Sequence, residues 1–275
     1  MFTYKPKRKN DDSSSTGKVV KTVGLALLTL MLIGLLIHHS NTKRYEEMMA
    51  HHHAGVAYYQ QEQYQLSVEE FTRAIEIMPE YSHAYYGRAN SLNKLGEHLS
   101  ALDDCQTALG IDDTYAPGYA TRGYTYLMLG LYDAALTDLN TATELEPGRA
   151  YFYTVRGFTY LEMENYEAAV TDFTEAIRLY PMSAHRFNPY SNRAYANFRL
   201  GNMETVFNDY DRALEIEPDN PRIYAYRATT YYELGSEYYT LAVADYGTYA
   251  ALGGEFEPFM SGQLNDMYNA LERQD

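Results

Sequence analysis

The 275-residue chain has no tryptophan and a single cysteine, Cys105. One thiol excludes a disulfide framework and a zinc site built from cysteines. Lysine is almost missing beyond the first 44 residues. Residues 45–275 hold Lys94 alone, with 13 Arg against 35 Asp and Glu, a net charge of −21. A surface of that sign cannot neutralise phosphates, which argues against a nucleic-acid binder. Three catalytic signatures are also lacking: a Gly-rich phosphate loop, an HExxH pair and a GxSxG elbow. No enzyme activity, cofactor or metal is therefore expected.

What the chain does have is 30 tyrosines, enough hydrophobic residues (46%) for a core, and a basic amino-terminal end. Residues 1–44 carry six Lys and two Arg against Asp11 and Asp12, a net of +6. Within that end, Thr22–Ile37 is a run of 16 uncharged residues, and with Val19 and Val20 it is broken only by Lys21. A helix of that length rises about 28 Å, close to the roughly 30 Å of a hydrocarbon core. The flank IHHSNTKR offers no small-residue cleavage site, so an anchor is favoured over a cleaved signal peptide or a buried helix. These features predict a disordered basic tail over 1–18, a transmembrane anchor over 19–39 and a linker over 40–47. Basic residues concentrate before the span, which places the amino terminus in the cytoplasm and residues 45–275 outside it. A bacterial inner-membrane protein facing the periplasm fits that topology.

From residue 48 onward the sequence repeats. Repeats starting at Met48, Ser82, Ala116, Ala150, Phe187 and Pro221 follow at steps of 34, 34, 34, 37 and 34 residues. Ala184-His185-Arg186 accounts for the longer step, and repeat six has about two extra residues near Ser236–Tyr239. The fourth place holds Tyr85, Tyr119, Tyr153, Tyr190 and Tyr224. The eighth is small: Gly55, Ala89, Gly123, Gly157, Ala194, Ala228. Tyr58, Tyr126, Tyr160 and Tyr231 take the eleventh, and Ala101, Ala135 and Ala169 the twentieth. Tyr64, Tyr132 and Tyr166 fall at the seventeenth. The twenty-fourth is bulky in Phe71, Leu139, Phe173 and Tyr210. Ala74, Ala108, Ala142, Ala176 and Ala213 fill the twenty-seventh, and Pro79, Pro147, Pro181 and Pro218 end four repeats. Apolar places recur at helical spacing over two segments of about 14 residues, the pattern of paired amphipathic helices.

This pattern resembles the tetratricopeptide repeat family over about residues 48–254. The resemblance implies an all-α fold, a right-handed solenoid of six helix-turn-helix repeats. A capping helix is expected over 255–275, with Phe259, Leu264, Met267, Tyr268 and Leu271 apolar. The fourth place is where the family favours tryptophan, and the twelve tyrosines at the fourth, eleventh and seventeenth places are expected to replace it as packing anchors.

Two further rows repeat. Arg88, Arg122, Arg156, Arg193 and Arg227 occupy the seventh place of repeats two to six, where repeat one has Ala54. Glu70, Asp104, Asp138, Asp172, Asp209 and Asp245 occupy the twenty-third place. Because repeat one lacks the arginine, the acid of each repeat is expected to pair with the arginine of the next: Glu70–Arg88, Asp104–Arg122, Asp138–Arg156, Asp172–Arg193 and Asp209–Arg227. A matched acid for each arginine disfavours a polyanion site.

The resemblance also implies a concave groove lined by the second, fifth, ninth and twelfth places. These include Tyr86, Asn90, Asn93, Tyr124, Leu127, Tyr151, Phe158, Leu161, Asn188, Tyr195, Phe198, Arg222 and Tyr232. Such an aromatic surface suits a protein or peptide partner, neutral or basic given the acidic solenoid. Lys94 alone supplies basic character, so an acidic chaperone tail is not the expected ligand. His51, His52 and His53 point about 100° apart on a helix and cannot converge on one metal. Cys105 falls at a core place. The expected function is a membrane-anchored scaffold that recruits a polypeptide or organises a membrane complex. The alternative is a structural or self-assembling subunit without free-peptide recognition. The oligomeric state is left open.

Overall fold

The computed structural model describes residues 13–180 and 188–273, with side chains described from residue 29 onward. Among the described residues there are thirteen α-helices and no strand. They run α1 (Ser13–Gln60), α2 (Tyr64–Ile77), α3 (Ser82–Leu95), α4 (His98–Ile111), α5 (Ala116–Met128), α6 (Tyr132–Leu145) and α7 (Ala150–Glu162). Then follow α8 (Tyr166–Leu179), α9 (Pro189–Arg199), α10 (Val206–Ile216), α11 (Pro221–Leu234), α12 (Tyr239–Ala251) and α13 (Pro258–Leu271). Helices α1 to α12 pair as six hairpins, and each hairpin packs on the next to form an all-helical solenoid. The extra residues of the last repeat make a 3-10 turn, Ser236–Tyr238. Pro181, the inserted Ala184-His185-Arg186 and the expected start at Phe187 lie outside the described residues.

Small residues explain why the hairpins close. Ala89, Ala194 and Ala228 of the first helices, and Ala101, Ala135 and Ala169 of the second, are fully buried. Phe71, Cys105, Leu139, Phe173, Tyr210 and Tyr246 fill the space between them and are buried too. A Cβ added at Gly123 would stand 2.8 Å from Leu139 Cγ, inside van der Waals contact, so the bulky residue needs the glycine opposite.

The turn between the two helices of a repeat requires a left-handed residue. Gly96, Gly130, Gly201 and Gly235 supply it with φ of 81°, 73°, 77° and 116°. Glu62 and Glu164 stand at the same place with φ of 59° and 57°. A side chain there costs about 1–2 kcal/mol of backbone strain, partly offset by the greater unfolded-state entropy of glycine. Glu164→Gly is accordingly expected to raise stability by about 0.5–1 kcal/mol in urea titration; an unchanged or lower midpoint would contradict the strain.

The amino-terminal expectations need correction. Ser13–Gln60 is one unbroken helix of 48 residues. The expected linker over 40–47 is thus helical and runs straight into the first repeat. Among the described residues no helix is long and apolar enough to cross a membrane. On this helix the exposed His38, His39, Ser40 and Asn41 follow the aliphatic residues directly. The transmembrane assignment of 19–39 is therefore not upheld, and neither is the topology built on it, cytoplasmic amino terminus and extracytoplasmic repeats facing a periplasm. Residues 1–12 of the expected tail, and the side chains of residues 13–28, lie outside the described part. Leu30, Met31, Leu32, Ile33, Leu35, Leu36 and Ile37 are solvent-exposed. Packing begins near Arg44, whose Nε donates to the last carbonyl of α2, Ile77 O, at 2.7 Å, and Met48 is fully buried.

At the other end, α13 covers the last hairpin with Met260 and Met267, both buried against Ala228, Ala242 and Tyr246. Phe259 and Tyr268, expected on its apolar face, point to solvent instead.

The charged rows pair differently from expectation. Each arginine binds the acid of its own repeat: Arg88–Asp104, Arg122–Asp138, Arg156–Asp172, Arg193–Asp209 and Arg227–Asp245. In every case Nε and Nη2 meet the two carboxylate oxygens at 2.6–2.9 Å. The antiparallel hairpin sets the seventh place of the first helix directly across from the acid of the second, 16 residues on in most repeats. The link to the neighbouring repeat comes from Nη1 instead. It donates to Thr72 from Arg88, to Asn140 and Thr143 from Arg156, to Thr174 from Arg193 and to Asp211 from Arg227. Each guanidinium also lies 5.3–5.9 Å from the ring of the fourth-place tyrosine, Tyr85, Tyr119, Tyr153, Tyr190 or Tyr224. In repeat one, which has no such arginine, Glu70 is met by His51 Nδ1 at 2.6 Å and by Arg73.

Candidate binding cleft

The first helices of repeats one to four line a cleft of about 410 Å³. Val56 and Tyr59 come from α1, and Gly87, Asn90, Asn93 and Lys94 from α3. Pro117, Ala120, Thr121 and Tyr124 come from α5, Tyr151, Phe152 and Thr154 from α7, and Phe71 of α2 closes the inner end. Its size falls in the range of ordinary ligand pockets. Gly87 and Ala120 are the smallest of its lining residues.

Three tyrosines give the cleft its character. Tyr59, Tyr124 and Tyr151 are half-buried. Burial, with the neighbouring Tyr64 and Tyr124 hydroxyls, pushes the Tyr59 phenol up to about 12. Tyr151 is raised for the same reason, burial first and then Tyr124 and Tyr59. Both stay protonated near neutral pH, as an ordinary phenol does. The amides are partly engaged. Asn93 Nδ2 donates to Thr125 Oγ1 at 2.9 Å, tying repeats two and three, and Asn90 Nδ2 donates to Tyr86 O at 3.0 Å. No carboxylate lines the cleft, and the sole lysine of the repeats stands in its wall. The chain is strongly acidic outside and acid-free here.

Of the expected groove residues, Asn90, Asn93, Tyr124 and Tyr151 come together in this cleft. Tyr86, Leu127, Phe158 and Leu161 are instead buried between repeats and face no solvent. Tyr86 donates its hydroxyl to Asp112 O at 3.2 Å. Asn188 is buried as the N-cap of α9, accepting from Tyr190 N and Ser191 N. Tyr195 stacks on Tyr226 with ring centroids 4.9 Å apart, and Phe198 packs beside Tyr190, Tyr210 and Ile223. Arg222 lies over the Phe158 ring at 5.5 Å. Tyr232 stacks on Tyr239 and donates to Asp266 at 3.2 Å. Five lining residues were not expected, Val56, Tyr59, Pro117, Ala120 and Thr154, although all stand at the second, fifth, ninth or twelfth place of their repeats. Phe71, Gly87, Thr121 and Phe152 stand at other places and carry no such signal.

The remaining expected sites are plain. Among the described residues no group of three His, Cys, Asp or Glu could hold a metal. His51 takes up Glu70, and His52 packs edge-on against Phe71 and Tyr81. Burial, then His53 and His83, lowers the His52 pKa. Cys105 is buried, and burial pushes its thiol up to about 12, far from a nucleophile's range.

Residues 52–116, 116–149 and 150–181 match family profiles described as tetratricopeptide repeat. Solved structures extend the likeness in fold. The APC/C hetero-tetramer Cut9–Hcn1 is similar at 18% identity and a TM-score of 0.72 over 84% of this chain and 45% of that one. This chain thus spans less than half of that neighbour. Pseudomonas aeruginosa pilF is similar at 20% identity and a TM-score of 0.60, covering 77% of this chain and 90% of that one. TTC0263, a thermophilic TPR protein in Thermus thermophilus, is similar at 23% identity and 0.57, covering 66% and 98%. No curated protein matches. Residues 52–181 thus match tetratricopeptide-repeat profiles, and the described residues as a whole share the all-helical solenoid fold of these structures.

Proposed function

We propose that this chain is a non-catalytic scaffold whose repeats, over residues 48–254 with the cap over 255–275, bind a polypeptide segment in the concave cleft. The supporting observation is the cleft itself, about 410 Å³, walled by Tyr59, Tyr124 and Tyr151 and free of carboxylates. An uncharged, apolar or aromatic side chain of the partner fits it. Tyrosines anchor such contacts at low entropic cost. The net −21 of residues 45–275 steers a neutral or basic segment towards the solenoid at low ionic strength.

The test uses a random dodecapeptide library panned on the full chain. Val56→Trp fills the cleft from its exposed rim, and Tyr124→Ala removes a wall. Each is expected to weaken the selected peptides by about 30-fold, the roughly 2 kcal/mol of a binding hot spot, with unchanged circular dichroism. Peptides that bind both variants as tightly as the parent, or a library that yields none, would sink the reading.

A second reading is favoured by one observation, the exposed aliphatic side chains between Leu30 and Ile37. Self-association would cover them. Light scattering that gives a monomer at all concentrations would remove it.

A further inference from the structure

The concave face is not uniform. None of the residues lining the cleft comes from α9 or α11. In that carboxy-terminal half the chain fills its own groove. Arg222, the second residue of α11, reaches across α9 to α7, where its guanidinium carbon lies 5.5 Å from the centroid of the Phe158 ring. Glu162 stands one helical turn beyond Phe158 on α7, at i+4 and so on the same face. Tyr226, one turn beyond Arg222, stacks on Tyr195 with the rings 14° from parallel and forms the adjoining wall. The electrostatics agree with this grouping. Lost solvation raises the Glu162 carboxyl and Arg222 opposes the rise, while Tyr226, pushed up to about 12 by burial, is also drawn down by Arg222.

An aromatic face with a carboxylate one turn away is a receptor for a guanidinium. The ring attracts the planar cation and the carboxylate supplies its counter-charge. Nothing in the repeat pattern asks for this arginine. The second place is Met49, His83, Pro117, Tyr151, Asn188 and Arg222 in the six repeats, whereas the structural arginines stand at the seventh. We propose that Phe158, Glu162 and Tyr226 form an arginine seat, held in the free chain by Arg222 and taken over by an arginine of the bound segment. This rests on the groove reading above and extends it. The cleft takes an uncharged anchor, and the seat takes a basic residue of the same segment. Arg222 then acts as an internal competitor that any bound arginine must displace.

The experiment is a titration with N-acetyl-arginine amide, using N-acetyl-citrulline amide as the uncharged control of the same length. It follows chemical shifts in the full chain, in Arg222→Ala and in Arg222→Gln. Removing the competitor is expected to tighten the arginine amide about 10- to 100-fold, as when a seat open roughly 1–10% of the time becomes open always. Citrulline amide is expected to show no such gain, and Glu162→Gln added to Arg222→Ala should abolish it. Equal affinity of the arginine amide for the parent and both variants would overturn the proposal, as would a gain shared by citrulline amide. Arg222→Gln is shorter and uncharged but keeps a polar N–H donor, so a folding defect confined to Arg222→Ala leaves the test standing. The two readings fail separately. Library peptides that need Tyr124 but ignore Arg222, with no gain for the arginine amide, sink the seat and leave the cleft. A library that yields nothing sinks the cleft, while the arginine titration still decides the seat.

Discussion

Replacing Arg156 by alanine is expected to lower the unfolding free energy by about 3–5 kcal/mol, the cost of leaving a buried charge without its partner. Asp172, 4% exposed, would keep its carboxylate in the hairpin with neither of the two N–H donors it now accepts at 2.7 Å. The same substitution removes the Nη1 bonds to Asn140 at 2.9 Å and Thr143 at 2.8 Å in the preceding repeat, and the contact with the Tyr153 ring. A single side chain thus joins the two helices of its repeat and that repeat to the one before. Arg178→Ala is the control. Arg178 and Glu175 form an exposed i,i+3 pair of similar geometry, and its loss is expected to leave the urea midpoint nearly unchanged, because solvent screens it. Removing both Arg156 and Asp172 should cost less than removing Arg156 alone, because no orphaned charge is left. Equilibrium urea unfolding followed by circular dichroism gives all three values relative to the parent. A loss under about 1 kcal/mol for Arg156→Ala would mean that water replaces the guanidinium and that the row is decorative.

That arginine row shows where the sequence was legible and where it was not. Two regular spacings connect the same residues, 16 within most repeats and 18 to most successors. Ala54 favoured the longer spacing, since it left Glu70 free for Arg88. What broke the tie is helix geometry: the antiparallel hairpin faces the seventh place with its own acid, and His51 with Arg73 serves Glu70 in repeat one. Period, helix pairs and core alanines were readable because each repeat buries the same small residues. The groove was readable only in direction. Inward-pointing residues such as Tyr86, Leu127, Phe158 and Leu161 are covered by their neighbours, a matter of how tightly successive first helices approach. Val56 and Tyr59 were obscured because repeat one begins with histidines where the others carry tyrosine. The apolar run near the amino terminus was plain in composition, yet composition did not fix what surrounds it.

Phe71→Ala is the second change expected to act strongly, with a loss of about 3–5 kcal/mol. The ring is 1% exposed and fills the space between the first and second hairpins. It packs against Ala74, Ala84 and Met48, with the His52 ring centroid at 5.5 Å. Glycines lie on two sides of it. A Cβ at Gly55 would stand 3.0 Å from the ring, and one at Gly87 only 2.3 Å. Backbone without side chains has little to move into the vacated volume, so the cavity should persist and the cost sit high in the range for such deletions. Because Phe71 also closes the inner end of the cleft, the cavity should open into it. The substitution is therefore expected to do two things at once: lower the urea midpoint, and let selected peptides with larger anchors bind better than those chosen on the parent. Gly87→Ala is the converse. Its methyl would push the ring from its site, a small-to-large change expected to cost about 1–3 kcal/mol, and would make the cleft shallower. If Phe71→Ala lowered stability yet left anchor preference unchanged, the ring would be a packing residue alone and the inner wall of the cleft would have to be assigned to Gly87, Asn90 and Phe152.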